Sequence, residues 1–162
     1  MTSTSTHKRT GRADAAQRPE APRHDLGISD AEFQAMGEMG AMYYQQGNLP
    51  KARTIFEGLV EMDPQSAAAR AALGALLTRT QQFEEALVHL DRAVELDPRM
   101  IAPYVNRAEV FIRQERAAEA VADLKRAIDL DPHETDPGAN RARAMALGIA
   151  EALKAGGIDG QQ

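Results

Sequence analysis

Residues 83–98 read FEEALVHLDRAVELDP, and the reading of this stretch decides the fold. Ala86, Leu90 and Ala93 precede Asp97-Pro98. The dipeptide ends a helix, because proline disfavours helical geometry in the residue before it and cannot continue the hydrogen-bond ladder. The same arrangement returns 34 residues upstream as Ala52, Phe56, Leu59 and Asp63-Pro64. It returns 34 residues downstream as Ala120, Leu124, Ala127 and Asp131-Pro132. Self-similarity at a period between about 20 and 50 residues means stacked supersecondary units. Function is then to be sought on the surface of an array rather than in one pocket.

Small residues explain how the units pack. Gly40, Gly74 and Ala108 let the two helices of a repeat approach closely, and Ala52, Ala86 and Ala120 do the same from the second helix. Phe56, Leu90 and Leu124 fill the space between repeats. Upstream, Ser29-Asp30-Ala31-Glu32 is a capping box that opens a helix over about 30–46. Gly47 ends it in a left-handed cap, Asn48 caps the next helix, and Pro50 sits in that helix's first turn. Gln81 and Glu115 stand where a turn glycine is usual, at ~1 kcal/mol each if those caps need a left-handed residue. Arg70 and Arg107 occupy positions that are usually apolar. Their stems are expected to pack while the guanidinium groups reach water or a carboxylate.

Set in repeats 33–66, 67–100 and 101–134, the residues resemble the tetratricopeptide repeat (TPR) family. Gly40, Tyr43, Gly47, Ala52, Phe56 and Pro64 match its pattern in the first repeat. Leu73, Gly74, Phe83, Ala86, Ala93 and Pro98 match in the second, and Tyr104, Ala108, Phe111, Ala120, Ala127 and Pro132 in the third. The resemblance implies an all-α fold, three helix-turn-helix repeats in a right-handed superhelix. Asp136-Pro137 then opens a further helix over about 138–155, with Ala142, Met145, Ile149 and Leu153 on its apolar face. It is expected to cap the array with one wet face and to stop at Gly156-Gly157. Residues 1–28 are expected to be a disordered leader, since between Met1 and Leu26 the apolar side chains are only Ala and Pro. Residues 29–155 form the repeat domain and 156–162 a flexible tail.

Composition narrows the chemistry. The 162 residues contain no Cys, so a thiolate nucleophile, a disulfide and a cysteine zinc site are excluded. A net charge of -5 with 4% aromatic residues and no Trp argues against a nucleic-acid partner. No apolar run is long enough to cross a bilayer and none in the first 25 residues resembles a signal peptide, so no membrane insertion and a cytoplasmic location are expected. His7, His24, His89 and His133 are scattered, with no metal-ligand spacing. No phosphate-cradling loop is present, and Glu84-Glu85 reads as the charged first turn of a helix. No catalytic residue, metal or cofactor is expected, and the chain reads as a non-enzyme.

In the resembled family the first helix of each repeat lines a concave groove, and positions 2, 5, 9 and 12 of the repeat share a helical face. These are Gln34, Gly37, Ala41 and Tyr44, then Ala68, Ala71, Ala75 and Thr78, then Ala102, Val105, Glu109 and Ile112. Single alanines also serve close packing or helix propensity. As an aligned set they make an apolar strip that an extended peptide or a partner helix would bury. Gln45, Arg79, Glu109 and Arg113 edge the groove as polar contacts, although Glu109 and Arg113, four apart, can simply pair for ~0.2–0.5 kcal/mol. Glutamate at Ala71 or Ala75 is expected to abolish capture without unfolding the array. TPR co-chaperones that clamp the C-terminal carboxylate of Hsp70 and Hsp90 use Lys, Asn and Arg. The matching positions here are Gly37, Ala41, Ala72, Ala102 and Asn106, none a cation.

A narrower likeness rests on Ile28-Ser29-Asp30, on Ala52 with Phe56-Glu57-Gly58-Leu59, and on Ala108-Glu109. With three repeats, an added C-terminal helix and an acidic chain, these resemble the class II translocator chaperones of bacterial type III secretion. The resemblance implies a groove that holds an extended segment of a hydrophobic secreted translocator and keeps it soluble. It also raises the prospect of a homodimer through an N-terminal helix, although residues 1–25 have no apolar face for one. A TPR adaptor that scaffolds a protein complex is the alternative.

Overall fold

Three turns repeat with one geometry. Gly47, Gln81 and Glu115 all adopt left-handed φ, at 77°, 63° and 59°. Each is followed by the N–H that closes the turn, from Asn48 to Tyr43 O at 2.9 Å, from Gln82 to Leu77 O at 2.9 Å and from Arg116 to Phe111 O at 2.8 Å. This is the Schellman closure of a helix C-terminus. The caps do need the left-handed conformation, and two of them hold it without glycine. These bonds were read from a computed structural model that describes residues 22–158, side chains to residue 155. Its helices are α1 (Pro22–Asp25), α2 (Asp30–Gln45), α3 (Leu49–Met62), α4 (Ala67–Arg79), α5 (Phe83–Leu96), α6 (Ile101–Arg113), α7 (Ala117–Asp129) and α8 (Pro137–Ile158).

The starts follow the sequence signals. Ser29 Oγ accepts from Glu32 N while Glu32 Oε2 accepts from Ser29 N at 2.9 Å, the reciprocal capping box. Asn48 Oδ1 accepts from Lys51 N, and Asp136 Oδ1 accepts from Ala139 N at 3.0 Å ahead of α8. The Asp of each Asp-Pro does more than precede a proline. Asp63 Oδ1 accepts from Gln65 N at 3.1 Å and Asp97 Oδ1 from Arg99 N at 3.0 Å. Asp131 accepts from the N–H groups of Thr135 and Asp136.

Each repeat is a helix pair, α2 with α3, α4 with α5 and α6 with α7. A Cβ built on Gly40 would lie 2.5 Å from Phe56, and one on Gly74 would lie 2.6 Å from Leu90, so the close approach requires glycine. Ala52, Ala86, Ala93, Ala120 and Ala127 are fully buried, as are Leu90 and Leu124. Complete burial of such a leucine is worth about 1.5–3 kcal/mol. Along the chain every helix packs on its neighbour or next neighbour in order and on none farther away among the described residues.

The two unusual arginines are resolved differently. Arg107 forms a fork with Asp123, Nε to Oδ2 and Nη2 to Oδ1 at 2.7 Å each, and its Nη1 donates to Asp91. Arg70 Nε donates to Pro64 O at 2.7 Å. Burial and the nearby Arg92 lower its pKa.

Two boundaries differ from expectation. Residues 22–28, assigned to the leader, belong to the folded unit. Arg23 stacks on the Phe33 ring and pairs with Asp30 and Asp63. At the other end α8 continues through Gly156-Gly157 to Ile158. Ala142 is buried and Met145 and Ile149 are half-buried, but Leu153 is 68% exposed. From Ala150 to Ala155 the helix is exposed all round, past the reach of α6 and α7. The rest of the leader, 1–21, and the last tail residues, 159–162, lie outside the described residues.

Candidate binding groove

The first helices stand in a row, with α2 against α4, α4 against α6 and α6 against α8. Between α2 and α4 opens a cavity of about 560 Å³. Phe56 and Leu59 of α3 form its floor, and both are buried at the repeat boundary by the periodic pattern that defines the array. Phe33, Gly37 and Ala41 of α2 and Ala68, Ala69 and Ala72 of α4 make the walls. Small side chains on both helices keep this space open. Arg23, Asp30, Gln34, Glu38, Asp63 and Ser66 form the rim, where Gln34 Nε2 donates to Glu38 Oε1 at 3.0 Å.

Of the residues the helical ruler placed on the groove face, Gln34, Gly37, Ala41 and Ala68 line this cavity. Ala75 is half-buried and Ala102 is exposed. Three others are closed off. Ala71 and Thr78 are each 6% exposed and Val105 is 2% exposed. Thr78 Oγ1 turns inward and donates to Gly74 O at 2.8 Å. The cause is position in the row. Helix α4 lies between α2 and α6, and α6 between α4 and α8, so these positions sink into helix–helix seams. Glutamate at Ala71 would put a charge into such a seam, so Ala71→Glu is expected to destabilise the array rather than to spare its fold.

The rim residues come together in pairs. The Arg79 guanidinium lies 4.9 Å from the Tyr44 ring centroid, and Nη1 donates to Tyr44 O at 2.9 Å, which ties α4 to α2 beside the exposed Gln45. Glu109 takes Arg113 at 3.4 Å and also Arg141 of α8. Ile112, 36% exposed, lies on the same helix as this charged knot. The groove thus runs from an apolar cavity at α2 and α4 to an ion-paired end at α6 and α8.

Sequence reasoning missed Phe33, Arg23, Asp63 and Arg141. Phe33 was within reach of the helical ruler, being four residues before Gly37. Arg23 and Arg141 arrive from outside the three repeats, and no local spacing marks them. Among the described residues there is no cluster of metal-binding side chains and no helix long and apolar enough to span a membrane.

Family models described as Tetratricopeptide repeat match residues 43–108 and 101–134. No curated protein matches the chain. Among solved structures it is similar to the Yersinia enterocolitica type III secretion translocator chaperone SycD. Identity there is 20% and the TM-score 0.70, over 79% of this chain and 97% of SycD. It is also similar to PcrH in complex with the chaperone binding region of PopB, at 24% identity and TM-score 0.65, over 74% of this chain and 98% of the other. PcrH is from Pseudomonas aeruginosa. A third likeness is to the first TPR of Spaghetti (RPAP3) bound to the HSP90 peptide SRMEEVD. It has 20% identity and TM-score 0.67, over 78% of this chain and 97% of the other. At these identities the likeness is one of fold.

Proposed function

We propose that this chain, which belongs to the tetratricopeptide-repeat proteins, captures an extended or helical segment of a protein partner in the groove formed by α2, α4 and α6, without catalysis. The observation that carries the reading is the apolar cavity between α2 and α4, floored by Phe56 and Leu59 and walled by Phe33, Gly37, Ala41, Ala68 and Ala72. A space of this size takes one or two large apolar side chains, and apolar surface left open on an acidic protein is a place for a partner. Ala41, Tyr44, Gln45, Ala68, Ala75, Arg79, Ala102, Glu109, Ile112 and Arg113 are the proposed contacts. Ala71, Thr78 and Val105 act behind them as packing.

The finer reading is a cytoplasmic chaperone that holds a hydrophobic type III secretion translocator before export. It is supported by likeness of fold to SycD and to PcrH, whose solved complex contains the chaperone binding region of PopB. The absence of cations at Gly37, Ala41, Ala72, Ala102 and Asn106 speaks against a carboxylate clamp. Co-purification from the native source with mass spectrometry tests the reading. A hydrophobic, secretion-destined protein retained by the wild type and lost from Ala68→Glu supports it. Retention of the same partner by folded Ala68→Glu overturns the groove.

A second reading has its own observation. Val88 on α5 is 64% exposed and Val121 on α7 is 46% exposed, both on second helices away from the groove. An adaptor that scaffolds a folded complex would use that side, and Val88→Lys with Val121→Lys would then release the complex while Ala68→Glu would not.

A further inference from the structure

The mouth of the cavity already holds a cation, and it comes from the chain itself. Among the described residues Arg23 is the one basic side chain of the cavity lining, against the carboxylates of Asp30, Glu38 and Asp63. Its guanidinium lies 4.6 Å from the Phe33 ring centroid, with Nη2 2.8 Å from Asp30 Oδ1 and Nε 3.3 Å from Asp63 Oδ2. The side chain is only 13% exposed, yet the buried Nε donates no hydrogen bond. An aromatic face and two carboxylates make a good seat for a guanidinium, and Arg23 fills it with incomplete geometry.

The segment that delivers Arg23 is weakly held. Helix α1 has four residues, all of them but Arg23 exposed; its backbone packs on α3, and Arg23 alone gives it a side-chain contact with α2. After it, Leu26 is 69% exposed and Gly27 turns with φ 71° in open space. Lifting this strap uncovers the Phe33 face and a rim of carboxylates beside the apolar floor.

We propose that Arg23 occupies, in the free protein, the place of a basic residue of the partner. The groove then selects segments in which a bulky apolar side chain stands next to Arg or Lys, and α1 is displaced as they enter. The inference rests on the groove reading and adds to it a substrate class and a regulatory contact. The apolar side chain enters over Phe56 and Leu59, and its basic neighbour takes over Phe33, Asp30 and Asp63. Segments flanked by acidic residues are repelled by the rim.

The test uses the full chain and two fluorescent peptides of about ten residues, identical except that a central Leu-Leu is flanked by arginines in one and by glutamates in the other. Fluorescence anisotropy on the wild type is expected to show tighter binding of the arginine peptide. Arg23→Ala is expected to tighten it further by about tenfold, and Arg23→Lys to fall between. Asp63→Asn, which keeps an oxygen to accept from Gln65 N, is expected to erase the preference. Urea midpoints establish that each variant is folded. Binding that Ala68→Glu abolishes but that Arg23→Ala leaves unchanged, or that shows no preference for arginine, overturns the strap and leaves the groove standing. Failure of both peptides to bind, or binding that Ala68→Glu does not affect, overturns both.

Discussion

Arg107 and Asp123 face each other across α6 and α7 in a two-pronged pair, with both hydrogen bonds at 2.7 Å and the carboxylate 9% exposed. The hydrogen bonds Arg107 donates to Asp123, opposed by burial and joined by the one it donates to Asp91, raise its pKa above the ordinary arginine value. The guanidinium therefore keeps its charge across the ordinary pH range. Asp123→Ala leaves a half-buried guanidinium short of its main partner and is expected to cost about 3–5 kcal/mol in urea unfolding. Replacing both by leucine is expected to cost far less, because the desolvation of two ions disappears with their attraction. A double replacement as damaging as the single one would show that the pair adds net stability.

The glycines divide into two kinds that substitution separates. A Cβ at Gly74 would lie 2.6 Å from Leu90 and 2.7 Å from its Cδ2, so Gly74→Ala is expected to destabilise by about 1–3 kcal/mol. Gly58 in α3 and Gly148 in α8 have nothing within 4 Å of a built Cβ. Alanine there is expected to stabilise by about 0.5–1 kcal/mol, through helix propensity. Thermal unfolding of the single variants checks both signs.

At the Schellman turns the expectation runs the other way. Gln81 and Glu115 hold left-handed φ with a Cβ, and glycine at either is expected to raise stability by about 1 kcal/mol. Gly47→Ala, at the matching turn of the first repeat, is expected to lose a similar amount. Equal stability of all three variants and the wild type would mean that the turns carry no conformational strain.

His89 supplies a pH dependence. Burial, then the nearby Arg70, lower its pKa from 6.5, against smaller opposing pulls from Glu85 and Glu57. The unfolded chain therefore binds the proton more readily than the folded one, so stability is lost as pH falls through 6.5 toward the folded value. His89→Gln is expected to flatten the urea midpoint over that window. An unchanged slope would assign the pH dependence to other groups.

Much of the fold was legible because its cause is local and repeated. The Asp-Pro period, the capping box at Ser29 and the small residues at Gly40 and Gly74 each encode a contact within one repeat or between adjacent ones. The groove was legible only in part. Helical angle assigns Ala71 and Ala68 to the same face, but it does not register that α4 lies between α2 and α6, where Ala71 is buried while Ala68 looks into the cavity beside α2. Arg23 and Arg141 were invisible as site residues for another reason. Each reaches a carboxylate far away in the chain, Asp63 or Glu109, and a pairing over that separation leaves no trace in local spacing.

The neighbour-only packing of the helices has a consequence for communication along the molecule. Helix α2 touches neither α6 nor α8, so a ligand in the cavity at α2 and α4 can alter the ion-paired end only through the packing of α6 on α4 and α5. Among the described residues the α4–α6 seam is the direct joint between the two ends of the groove. Substitutions at Ala75, the half-buried residue of the α4 groove face, would change how strongly the ends sense each other even where they leave affinity at each end alone.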